Sequence, residues 1–142
     1  MTDPFNLRRF VKAQDPVYSR VLAELRHGEK RSHWMWFVFP QIQGLGSSPL
    51  AECFAISSLE EAQAYLDHEL LGPRLKECCE ILETIEDRSA EQIFGCPDFD
   101  KLRSSMTLFA RASEGEDIFT RILDKFYAGE ADPQTLDRIG RS

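Results

Sequence analysis

Leu71-Gly72-Pro73-Arg74-Leu75-Lys76-Glu77-Cys78-Cys79-Glu80-Ile81-Leu82-Glu83-Thr84-Ile85 decides the fold class of this chain. Gly72-Pro73 breaks any helix arriving from upstream, because proline lacks an amide donor and its ring clashes with the preceding turn. At the first turn of a new helix the same residue is well accommodated. Past the break, Leu75, Cys78, Cys79, Ile81, Leu82 and Ile85 recur at the spacing that forms one apolar side of a helix. Glu77, Glu80, Glu83, Glu86 and Asp87 are spaced as an exposed helix face, not as a metal site. Arg74 lies just inside the helix start, where the dipole disfavours a cation. It makes sense there by reaching an anionic ligand or by pairing with Asp67 or Glu69.

The same period governs the chain on both sides of this segment. Upstream, Asp15 reads as an N-cap with Pro16 at the first helical position, and Val17, Val21, Leu22 and Leu25 form a stripe that Gly28 ends. Ser58 and Glu61 make a capping-box pattern before Ala62, Tyr65 and Leu66. Downstream, Ser89 and Gln92 repeat that pattern for a short helix with Ile93 and Phe94, closed by Gly95. Phe99, Leu102, Met106 and Phe109 mark the next helix, and Ile118, Phe119, Ile122, Leu123 and Phe126 the one after, stopped at Gly129. Asp132-Pro133 opens a last short helix with Leu136 and Ile139. Sustained period-two alternation is missing. The expectation is an all-α fold of about six to eight helices with little or no sheet, one domain over residues 1–142.

Composition bounds the function. The chain has 142 residues, 42% of them hydrophobic and 29% charged, as in ordinary globular proteins. No apolar run approaches the roughly 20 residues that span a bilayer, and the amino terminus lacks a signal-peptide layout. A bacterial cytoplasmic protein is expected, with no membrane partner. The net charge of −7 disfavours nucleic acid as a partner, whose affinity rests on clustered Lys and Arg. Residues Met1 to His33 nevertheless hold seven Lys/Arg against four Asp/Glu, which would draw an anion toward the start of the chain. Cys53, Cys78, Cys79 and Cys96 are expected to be buried, reduced thiols, since adjacent cysteines suit neither a zinc site nor a disulfide framework.

Both tryptophans lie in Lys30-Arg31-Ser32-His33-Trp34-Met35-Trp36-Phe37-Val38-Phe39-Pro40-Gln41, which runs on into Gly44-Leu45-Gly46-Ser47-Ser48-Pro49. Ser32 can cap a helix from His33 that stops at Pro40. His33, Trp36 and Phe37 would share one face, Trp34 and Val38 another. Most of this aromatic surface is expected to be core, which leaves the polar ends as the place for chemistry. His33 can serve as acid, base or neutral donor near neutral pH. The glycines allow close backbone approach, and Ser48-Pro49 reads as the start of a helix, whose free N–H groups favour anions. A P-loop or Rossmann site is excluded, because the Walker lysine and a preceding strand are lacking. No cofactor or metal is called for. Ser104-Ser105, inside an otherwise apolar helix, points to a polar role or tight packing.

His33-Trp34-Met35-Trp36-Phe37-Val38-Phe39-Pro40-Gln41 with Gly44-Leu45-Gly46 resembles the signature of the domain-of-unknown-function 1810 family. The likeness continues at Tyr65-Leu66, Leu71 to Leu75, Lys101 to Phe109, Phe126 to Gly129 and Asp132 to Leu136. The resemblance implies a small, mostly helical, mainly bacterial protein with no established activity. Members are sometimes labelled calpastatin, a name that fits an extended inhibitor and not a chain built to fold. The family's recurrent polar positions fall on Lys30, His33, Gln41, Arg74, Lys101, Ser104 and Ser105.

Together these residues suggest a pocket for an anionic or nucleotide-like small molecule. Its candidate binding residues are Lys30, Trp34, Trp36, Gln41, Gly46, Ser47, Arg74, Lys101, Ser104 and Ser105, with His33 as the candidate catalytic group. Two alternatives stand beside it. One is a non-enzymatic interaction domain whose aromatic segment is purely core. The other, by analogy with distant kin, is an enzyme of ADP-ribose-like N-glycosides.

Overall fold

The computed structural model describes residues 3–113 and 118–140, and among them it is all-α. Ten helices follow in order: α1 Arg8–Gln14, α2 Tyr18–His27, α3 Met35–Val38, α4 Pro49–Cys53 and α5 Leu59–Asp67 come first. α6 Leu71–Thr84, α7 Ala90–Phe94, α8 Asp98–Ser113, α9 Ile118–Tyr127 and α10 Pro133–Gly140 complete the series. Three of them, α3, α4 and α7, are only four or five residues long, and α1 comes in addition to the helices that the sequence pattern reveals. Among the described residues, extended pairing is confined to one parallel bridge between Ile42 and Ile56.

α8 is the central element, packed on α5 and α9 with α7 and α10 against it, while α6 joins α9, α5 and α2. Its buried side chains include Leu102, Met106, Leu108 and Phe109, and Phe109 meets the Tyr65 and Phe119 rings at centroid distances of 5.2 and 5.9 Å. The deciding segment behaves as its period demands: Leu75, Cys78, Cys79 and Leu82 of α6 are buried. Gly72 in its first turn is fixed by contact, since a Cβ there would lie 2.1 Å from the Leu66 carbonyl oxygen.

The caps refine the sequence reading. Ser89 and Gln92 form the full reciprocal box at the start of α7. Ser58 accepts from the Glu61 amide, but the Glu61 carboxylate turns instead to the Ser57 amide and hydroxyl and to Arg9. Asp15 does not cap α2. It closes α1, a helix the apolar pattern did not reveal, and its carboxylate pairs with Arg74. Ser32 does not cap a helix either, and α3 is correspondingly short: the Ser32 hydroxyl donates to Glu24 at 2.6 Å. His33 and Trp34 therefore lie before α3 and not on the faces expected for them; Trp34 and Val38 are buried, Trp36 and Phe37 half-buried and His33 exposed. Burial of all four thiols does not hold. Cys78 and Cys79 are buried, with burial pushing Cys78 up to about 12, whereas Cys53 and Cys96 are exposed because they lie at the outer ends of short segments.

Glu24 organises the junction between α2 and the aromatic segment. Its carboxylate accepts from the Arg31 amide, the Ser32 amide and hydroxyl and the Trp34 indole, at 2.6–3.0 Å. Burial pushes this carboxyl up, but the four hydrogen bonds outweigh it and hold the group at about 2. No described helix is long and apolar enough to cross a membrane.

Candidate functional site

A cleft of about 610 Å³ opens where three distant stretches of chain meet. One wall is the loop after the aromatic segment, contributing Gln41, Leu45, Gly46, Ser47 and Ser48, with Ala51 behind it. The second is the start of α8, with Pro97, Asp100, Lys101, Arg103 and Ser104. The third is the entry to α10, with Asp132 and Gln134. Its size lies within the range typical of small-molecule sites.

Each wall is held by identifiable bonds. The bridge to Ile56 pins the loop at its base: the Ile56 amide donates to the Gln41 carbonyl and the Gln43 amide to the Ile56 carbonyl, both at 2.8 Å. Glycine at position 46 lets the loop close on α4, because a Cβ would lie 2.7 Å from that of Ala51. Ser48 then caps α4, accepting from the Ala51 amide at 3.1 Å. Arg103 ties α8 to the third wall, donating from Nε to the Glu130 carbonyl and from Nη2 to the Ala131 carbonyl. Asp132 is fixed from both ends. Its amide donates to Thr107 Oγ1, and its Oδ2 lies 2.9 Å from Ser104 Oγ, 3.2 Å from the Thr135 amide and 2.5 Å from Thr135 Oγ1.

Lys101 is the cation that belongs to the cleft and is least consumed by the fold. Its Nζ lies 3.3 Å from Asp98 Oδ1 and 5.2 Å from the centre of the half-buried Trp36 ring. The other Asp98 oxygen receives Lys30 at 2.8 Å, and Lys30 stands 5.2 Å from the Trp34 ring. Asp98 therefore bridges the two lysines and orients Lys101 from behind. A single ion pair in a partly exposed setting leaves a lysine able to take an external anion.

Of the residues singled out by sequence, Gln41, Gly46, Ser47, Lys101 and Ser104 line this one cleft. Lys30 and Trp36 stand behind it through Asp98 and Lys101. The others lie elsewhere. Trp34 is 1% exposed, with its indole spent on Glu24, so it presents no ring face to a ligand. Arg74 pairs with neither Asp67 nor Glu69; it reaches Asp15 at 2.9 Å and Gln14 at 3.3 Å and lies over the Tyr18 ring, joining α6 to the α1–α2 turn. Ser105 is buried toward the core, and its hydroxyl is the described buried side-chain group without a hydrogen-bond partner. His33 is exposed and outside the lining.

Among the described residues none from 3 to 33 lines the cleft, and the basic beginning of the chain reaches it through Lys30 and Asp98. Asp100, Arg103, Asp132 and Gln134 escaped the sequence reading. Asp132 carries a signal in the sequence, a cap before proline, but that signal specifies local structure alone. Among the described residues, no group of three or more His, Cys, Asp or Glu side chains is placed to hold a metal ion.

The fold and this cleft define a small helical protein with a polar cleft at one end of its central helix. Residues 4–139 match the family described as protein of unknown function (DUF1810), and the chain belongs to that family. It is also similar to the conserved hypothetical protein Rv1873 from Mycobacterium tuberculosis, known from a crystal structure. The two share 59% sequence identity at a TM-score of 0.96, over 97% of this chain and 99% of the other. Among curated proteins no match is found.

Proposed function

We propose that this protein binds a small anionic, nucleotide-like molecule in the cleft between the 41–48 loop, the start of α8 and the entry to α10. The observation that supports the reading is the cleft itself, which gathers Lys101, Ser104, Gln41 and the Gly46-Ser47 backbone from separate parts of the sequence. Lys101 neutralises the anion, held on its far side by Asp98 and Trp36. Gln41, Ser47 and the Gly46 amide supply neutral hydrogen bonds, and close backbone approach depends on the missing Cβ at position 46. Two carboxylates in the lining, Asp100 and Asp132, stand against Lys101 and Arg103, so the cleft suits a ligand of low charge and not a polyanion.

The competing reading, a docking domain, wants a contiguous apolar face. The exposed large hydrophobic side chains among the described residues are Leu50 and Leu70, one on α4 and one just before α6. The cleft is the stronger feature. Lys101→Gln tests it in a thermal-shift titration with adenosine 5′-monophosphate. Loss of a charged hydrogen bond should weaken binding about tenfold or more. His33→Ala, outside the lining, should titrate as wild type. Equal titrations for wild type and Lys101→Gln would remove the cleft from consideration.

A further inference from the structure

Asp132 is the least explained group in the cleft. Its Oδ2 already receives Ser104 Oγ, the Thr135 amide and Thr135 Oγ1, which fixes the plane of the carboxylate. Its Oδ1 accepts no hydrogen bond from any described residue, although Asp132 is half-buried and lines the cleft. Capping α10 uses one oxygen only. A carboxylate immobilised through one oxygen, with the other left open beside a cavity, is a preorganised acceptor for ligand O–H or N–H groups.

The surroundings select between those donors. Ser47, Gln41 and Gln134 are neutral and both donate and accept. A ring bearing several hydroxyls engages them together with the carboxylate, whereas a lone ammonium satisfies only the carboxylate. Lys101 provides one place for an anion, and Arg103 is already bound to the carbonyls of Glu130 and Ala131. A ligand with one phosphate and a pair of adjacent hydroxyls complements both ends. Carboxylates commonly bind ribose hydroxyls in this way.

Building on the cleft proposed above, we infer that its ligand is a ribosyl-type monophosphate, with the phosphate on Lys101 and the vicinal diol on Asp132 Oδ1. The phosphorylated sugar is the recognised part, and it can come from a free sugar phosphate or from a nucleoside monophosphate. Ribose 5-phosphate and adenosine 5′-monophosphate distinguish these sources.

Isothermal titration calorimetry with both probes, with 2-deoxyribose 5-phosphate and 2′-deoxyadenosine 5′-monophosphate, and with inorganic phosphate tests the inference. At least one ribosyl probe should bind wild type about tenfold or more tighter than its deoxy counterpart, as for a lost hydrogen bond to a charged group. Asp132→Asn keeps an acceptor for Ser104 and Thr135 but replaces the open oxygen by a donor, and asparagine caps as well as aspartate. In that variant the ribosyl and deoxy forms should bind within twofold of each other. Equal binding of both forms to wild type, or discrimination that survives in Asp132→Asn, overturns the diol contact. If Lys101→Gln still weakens every probe in that case, the cleft reading stands while this inference falls. Binding of none of the probes overturns both.

Discussion

Glu24 shows how one carboxylate can fix a segment that has little regular structure. Four donors from Arg31, Ser32 and Trp34 converge on it, and the aromatic segment takes its path from those bonds more than from α3. Replacing it with glutamine puts an amide NH₂ against donors, and Glu24→Gln should cost about 1–3 kcal/mol at neutral pH. The sign of the pH dependence follows from the depressed folded value. The usual value is 4.5 and the folded group titrates at about 2, so its contribution is complete above the former and is lost as pH falls toward the latter. Thermal unfolding of wild type should lose stability through that acid window, and Glu24→Gln should be flatter across it. Parallel curves for the two proteins would show that Glu24 is not the titrating group. Little of this was legible in the sequence, since Glu24 reads there as one polar residue of a helix. Its role depends on Ser32 and Trp34, which reach it only after the chain turns at Gly28.

Among the elements, α6 was the most legible and also has the tightest junction. Its apolar spacing and the Gly72-Pro73 break are visible in one dimension, but the need for glycine itself comes from the end of α5. A methyl at position 72 would collide with the Leu66 carbonyl, which is backbone and cannot swing aside. Gly72→Ala should therefore destabilise by about 1–3 kcal/mol despite alanine's better helix propensity, measurable as a lower urea midpoint at unchanged slope. A rise in the midpoint would mean that the α5–α6 junction relaxes freely. The short helices were harder to read. α1 buries only Phe10 and Gln14 and so carries no stripe. α3 fell short of the predicted span because its intended cap is engaged elsewhere. Caps are legible in the sequence where every partner lies within four residues, as at Ser89 and Ser48, and not where a distant group competes, as Arg74 does for Asp15 and Glu24 for Ser32.

For the molecule as a whole, the sequence carried the helical class and the family, and about half of the candidate site. Gln41, Gly46, Ser47, Lys101 and Ser104 share a cleft that no periodicity places together, because it forms only when α8 brings the 41–48 loop against the α10 entry. Lys30, Trp34, Arg74 and Ser105 were drawn from the same motifs, yet their polar or aromatic groups serve the interior and its ion pairs. With α8 packed against α5, α7, α9 and α10, urea unfolding followed by tryptophan fluorescence and by far-ultraviolet circular dichroism should give coincident transitions. Separated transitions would instead divide the chain into independently folding parts. The most direct test of the ligand cleft is a ¹H–¹⁵N correlation spectrum titrated with adenosine 5′-monophosphate. Shifts concentrated at the amides of Gln41, Gly46, Ser47, Lys101 and Ser104 are the expected result. A spectrum that does not move, or shifts gathered around His33 or Arg74, would contradict it.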